Sequence, residues 1–174
     1  MKALRMLVVS FGIIFMSTFV PDQLMSQGSG GFKLGSEPDG FRGIKWGSEI
    51  SALKDMVCVM AMDNDVRRYA RKRDVLKIGE AKLDYIEYEF WKGKFYLVDM
   101  GFQGTENWNN VRKEVFAIFG KAQRMPEKGE NLPETYRWEG EKTTMIMIYD
   151  SNMGGGITVS SNEIMDQKGK VEEE

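Results

Sequence analysis

The segment Val66-Arg67-Arg68-Tyr69-Ala70-Arg71-Lys72-Arg73 places five bases within eight residues. Arginine forks grip carboxylates and phosphates through paired hydrogen bonds. Such a run suits an anionic contact: a lipid head group, an acidic glycan or an acidic partner. The same composition suits a solvated edge strand, where charge blocks unwanted pairing. Arg67, Arg68, Arg71, Lys72 and Arg73 are therefore the candidate anion or partner contacts. Trp91 joins them. It stands beside Lys92-Gly93, on the polar side of an alternating segment, where an exposed indole anchors a partner.

Other residues could do chemistry, and each has a plainer reading. Glu87 and Glu89 are two apart on a strand pattern, so both point to one face. Paired carboxylates perform acid–base work when their environments split their pKa values. The plainer reading is two exposed charges alternating with core aromatics. Asp63-Asn64-Asp65 offers oxygen ligands but lacks the spacing, glycine and distal glutamate of a calcium loop, so it reads as a turn. Gly154-Gly155-Gly156 lacks the spacing of a phosphate loop and also reads as a turn. Cys58, within Val57-Cys58-Val59-Met60, is expected to be a buried, inert thiol. The chain has no histidine and no second cysteine. Histidine-based catalysis, His-ligated metals, intrachain disulfides and cysteine clusters are thereby excluded. No cofactor is expected. A formal net charge of −2 gives no global attraction to nucleic acid, which is not expected as a partner.

The first residues read as an address. Lys2 and Arg5 precede an uncharged, mostly apolar run from Met6 to Val20, which Pro21 breaks before a polar stretch. This is the order of a secretory signal peptide, here residues 1–26. Periplasmic or secreted location follows. The alternative is an uncleaved membrane anchor, although fifteen residues of helix span only about 22 Å against a hydrocarbon core of roughly 30 Å. Membrane contact is otherwise expected only through the basic run. Residues 27–40 are rich in Gly, Pro and Ser and read as a flexible linker. Residues 165–174 read as a charged, disordered tail. That leaves 41–164 as one folded domain within a chain of 174 residues.

The elements that must position these residues follow from periodicity. Ser48 would cap a short helix over about Glu49 to Met56, and Val57 to Met62 is a buried strand or the end of that helix. Ile86, Tyr88 and Phe90 alternate with Glu87 and Glu89, and Lys92-Gly93 turns the chain. Phe90 should then face Phe95, and Tyr88 should face Leu97. Thr105 to Gly120 carries a helical stripe of Trp108, Val111, Val115, Ile118 and Phe119, with Thr105 or Asn107 as the cap. Strands follow at Thr135–Trp138, Thr143–Tyr149 and Ile157–Ser161, with a turn over Ser151 to Gly156. The order predicts an α+β fold, with two helices packed on one face of an antiparallel sheet, and allows a duplicated αβββ unit.

With these segments in view, the chain resembles a family of small exported bacterial proteins of uncharacterised function. The shared features are Phe41-Arg42-Gly43-Ile44-Lys45-Trp46-Gly47, Tyr69-Ala70-Arg71-Lys72 and Lys77-Ile78-Gly79. More loosely, the layout is similar to β-lactamase-inhibitor-protein-like envelope proteins, which bind other proteins. The family resemblance brings no activity with it; the missing catalytic constellations, the export signal and the sheet layout together point to a binding module. The expectation is an exported, non-catalytic protein that contacts another envelope protein. The alternative is a binder of a small ligand or anionic surface through Arg67–Arg73.

Overall fold

The computed structural model describes residues 30–125 and 133–172. The expected signal peptide, 1–26, lies outside the described residues. A small hairpin of β1 (Gly40–Phe41) and β2 (Ile44–Lys45) precedes a single 3-10 turn at Ile50–Ala52. β3 (Met56–Ala61) and β4 (Val66–Arg71) are followed by a second small hairpin, β5 (Lys77–Ile78) and β6 (Ala81–Lys82). β7 (Tyr85–Trp91) and β8 (Lys94–Phe102) lead into α1 (Thr105–Phe119). Then come β9 (Gln123–Arg124), β10 (Glu134–Glu139), β11 (Thr143–Asp150), β12 (Gly154–Ser161) and α2 (Asn162–Glu172).

Eight strands form one antiparallel sheet in the order β3-β4-β7-β8-β12-β11-β10-β9, so the fold is α+β as the pattern predicts. Each half is a helical turn or helix followed by a meander. The last strands of the two meanders, β8 and β12, pair at the centre. The layout therefore repeats, with four sheet strands per unit where the sequence suggests three.

One face of the sheet carries the main core. Ile86, Tyr88, Phe90, Phe95, Val98, Met100, Trp138, Met145, Met147 and Ile157 meet Trp108, Val111 and Val115 of α1. Trp108 lies parallel to Tyr149 at 5.0 Å and to Phe102 at 6.3 Å, an offset arrangement that aromatic quadrupoles favour. Trp138 is fully buried and donates its indole N–H to the carbonyl of Gly120. That glycine ends α1 with φ of 84°, a conformation that suits glycine.

Several expectations change. The helix expected over Glu49–Met56 is reduced to the 3-10 turn, and β3 begins at Met56. α1 starts from Gly104 with no side-chain cap. Thr105 instead hydrogen-bonds the Tyr149 hydroxyl, and Asn107 joins Lys82 N–H to the carbonyl of Gln103. A bulge in β8 puts Leu97 opposite Glu89 and Val98 opposite Tyr88. Two consecutive residues, Tyr96 and Leu97, thus face away from the main core. The glycines 154–156 lie within β12 rather than in the turn. Residues 30–40 are not a free linker. Glu139 N–H donates to the Gly30 carbonyl, Glu37 accepts from the N–H groups of Lys142 and Thr143, and Phe32 packs edge-on to Phe119. Residues 165–172 continue α2 rather than fraying. Its Ile164 is buried with Val66, Trp91 and Tyr96 on the sheet face opposite α1. Alternation explains the placement, since Trp91 neighbours the core residue Phe90 and so points the other way.

Candidate functional site

The basic run forms β4, and strand alternation divides it between the two faces. Arg68 points to the α2 face. Its Nε donates to Glu89 Oε1 at 2.5 Å and its Nη1 to Glu87 Oε2 at 3.3 Å. Arg71 points to the other face, where its Nε donates to Asp55 Oδ2 at 2.6 Å and its Nη1 to the carbonyl of Arg42. The Arg71 hydrogen bond holds the Asp55 carboxyl below its usual range. Arg67 is exposed beside Tyr69 and Lys92, and Lys72 and Arg73 are exposed in the turn after β4. The structure thus separates the five bases and leaves three of them at the surface. The edge-strand reading of this run is corrected too, since β4 lies between β3 and β7.

Trp91 is 7% exposed, packed beneath α2, with Lys92 Nζ 4.6 Å from its ring. It is not the exposed anchor expected from its place beside a turn. Nothing before Ile164 in the sequence signals the helix that covers it.

Glu87 and Glu89 are not two free carboxylates. Glu89 is 4% exposed and accepts from both Arg68 and the Tyr96 hydroxyl at 2.6 Å. The Arg68 guanidinium binds both acids, so neither stands free to accept a substrate proton. Burial, and then the bond to Glu89, push the Tyr96 phenol well above its ordinary pKa. Burial and Asp74 act the same way on Tyr88, whose hydroxyl donates to Asp74 at 2.6 Å. Tyr85 is pushed up to about 12 by burial and by the neighbouring Asp99. Among the described residues no three acidic or cysteine side chains are placed to hold a metal ion.

A run of exposed apolar residues lies on a strand that the sequence pattern suggests is buried. β3 is the outermost strand on its side of the sheet. Val57, Val59, Met60 and Met62 are 44%, 50%, 52% and 37% exposed, and Cys58 is exposed with them. No charged residue occurs from Met56 to Met62. The opposite edge is different. β9 has two residues, and Gly31 bridges to Glu139 of β10 beside it. Among the described residues one edge is short and flanked, while the other presents an exposed apolar strand with an irregularity between Cys58 and Met60.

Two concavities adjoin the small hairpins. A cavity of about 430 Å³ opens between the core face of the sheet, α1 and the 36–42 segment. Met100, Met145, Ile157 and Val159 line its sheet side, and Ile118 and Phe119 line the helix side. A polar depression of about 350 Å³ is lined by Arg42, Asp55, Arg71, Lys72, Arg73 and Asp74. Arg42 lines both.

Among the described residues no helix is long and apolar enough to cross a membrane. Comparison with protein families, with characterised proteins and with solved structures finds no match for the chain.

Proposed function

We propose that this protein is an exported, non-catalytic binding module that contacts another envelope protein by adding a strand of that partner to β3. The observation that carries the reading is the exposed, uncharged, apolar edge of β3, set against an opposite edge that is short and flanked. Backbone groups on an outer strand give an extended partner its affinity, and pockets between alternate side chains give selectivity. The apolar run from Met6 to Val20 supports export. The Arg68 bridge between Glu87 and Glu89 speaks against a carboxylate hydrolase.

Cys58 is the only cysteine, so a benzophenone attached there samples the edge directly. The full chain carrying this probe is irradiated in an envelope fraction, beside a Val59→Lys/Met60→Lys variant. The expected result is one stoichiometric adduct to a different envelope protein, lost in the variant while its circular dichroism and melting temperature stay unchanged. An adduct that survives both lysines, or adducts only to further copies of this chain, would overturn the proposal.

A further inference from the structure

We propose that the apolar cavity and the polar depression are two parts of one site, which binds a single-chain amphiphile with an anionic head. The inference concerns a different surface from the β3 edge and does not rest on that reading. The cavity is apolar where it meets the sheet and α1, and its volume of about 430 Å³ falls within the roughly 300–1,000 Å³ of small-molecule sites. Its lining reaches the centre of the sheet, where Met100, Met145 and Ile157 are almost fully buried. Ile118, by contrast, is half exposed at the end of α1. An apolar chain that entered past Ile118 would lie against methionine and branched side chains.

Charge selects the head group. The depression holds four cations, Arg42, Arg71, Lys72 and Arg73, against two acids, Asp55 and Asp74. Asp55 is taken by Arg71, and Asp74 by Arg42 and Tyr88. Lys72 and Arg73 are exposed, and four cations against two acids leave the depression net positive. Lys77 adds a further exposed cation at the rim of the cavity. A carboxylate or phosphate fits this field, and a quaternary ammonium does not.

Arg42 joins the two parts. It occupies the two-residue turn between β1 and β2 with φ of 47°, followed by Gly43 at 81°. Arginine is an uncommon choice for a left-handed turn position, where Asn or Gly is the relaxed one. The turn aims its guanidinium at Asp74 and at the carbonyls of Val75 and Lys77, bonds that use three of the five N–H donors of an arginine. An arginine held between an apolar cavity and a cationic hollow suits the junction of an apolar chain and its anionic head.

The test uses the full chain with isotope-labelled methionine methyl groups and four probes that share one tail. These are dodecanoate, dodecyl phosphate, dodecyl maltoside and dodecyltrimethylammonium, each kept below its micelle concentration. The expected result is that dodecanoate or dodecyl phosphate shifts the Met100 and Met145 methyl resonances at one equivalent. The anionic probes should bind at least tenfold more tightly than the cationic one. Preference between the two anions separates a carboxylate head from a phosphate head. Lys72→Gln/Arg73→Gln, both at exposed turn positions, should weaken the anionic probes at least fivefold and leave dodecyl maltoside unchanged. Ile118→Asp, at the exposed rim, should weaken every probe. Three results would each overturn the proposal: Met100 and Met145 unshifted by any probe, affinity indifferent to head charge, or inorganic phosphate binding as tightly as dodecyl phosphate.

Discussion

Replacing Arg68 with alanine should destabilise the fold by about 2–3 kcal/mol. Glu89 is 4% exposed, and Arg68 supplies one of its two hydrogen bonds, at 2.5 Å. Breaking a fully buried ion pair by removing one partner costs roughly 3–5 kcal/mol, and an exposed pair contributes about 0–1 kcal/mol. The Arg68 side chain is 30% exposed, so water reaches part of the vacated space and the value falls between these limits. For a chain of this size each kcal/mol moves the melting temperature by about 2–4 °C, so a fall of about 4–12 °C is expected. Thermal and urea melts of Arg68→Ala, Glu89→Gln and the double variant give the coupling between the two side chains. It should be about 1.5–2.5 kcal/mol, because the double variant leaves no buried charge without a partner. The coupling should persist at about 1 M salt, since a buried pair is little screened. A coupling below about 0.5 kcal/mol, or one that salt abolishes, would show that the Arg68–Glu89 pair behaves as a surface contact.

Three further outcomes follow from the same structure. Tyr85, Tyr88, Tyr96 and Tyr136 all have raised pKa values. Their contribution is fully present below the unfolded value of about 10 and is lost as pH rises above it, for Tyr85 between about 10 and 12. Phenolate absorbance and near-ultraviolet circular dichroism should therefore change together in alkali, and early full ionisation with the fold intact would contradict this. Ile164→Ala should cost about 2 kcal/mol, at the low end for a buried isoleucine because its cluster is small. It should also red-shift tryptophan fluorescence as Trp91 gains water, and an unshifted spectrum would place α2 elsewhere. Gly101→Ala should cost about 1–2 kcal/mol, because the new Cβ would lie 2.2 Å from the Tyr85 ring and displace its hydroxyl from Asp99. Tyr85→Phe removes the same hydrogen bond alone, so equal losses in the two variants would rule out the steric part.

The parts of the fold that depend on local pattern were legible in the sequence. The stripe Trp108, Val111 and Val115 is buried in α1, and the Lys92-Gly93 turn does set Phe90 opposite Phe95. What depends on neighbours distant in sequence was not legible. Val57 to Met62 is apolar, and apolarity alone cannot distinguish an inner strand from a bare outer one, because strand order is set by pairing across the chain. Trp91 lies beside a turn, and its burial comes from a helix more than sixty positions away. Glu89 alternates as a solvent-facing residue should. Its burial follows from the β8 bulge, which brings Tyr96 over it, and from α2 closing that face. The basic run was visible as charge, but its division between the faces required β4 to be a strand with neighbours on both sides.

The two ends of the described chain each fasten the opposite half. The arm at Gly30–Glu37 is held by Glu139, Lys142 and Thr143 of the second meander. The last helix is seated on Val66, Trp91 and Tyr96 of the first, and Glu172 reaches Asn64. Each meander is therefore closed by a segment from the other half, and among the described residues the strand pairing between them is β8 with β12. In a chain that emerges from its N-terminal side, the Trp91 cluster stays open until Ile164 of the last helix arrives to cover it.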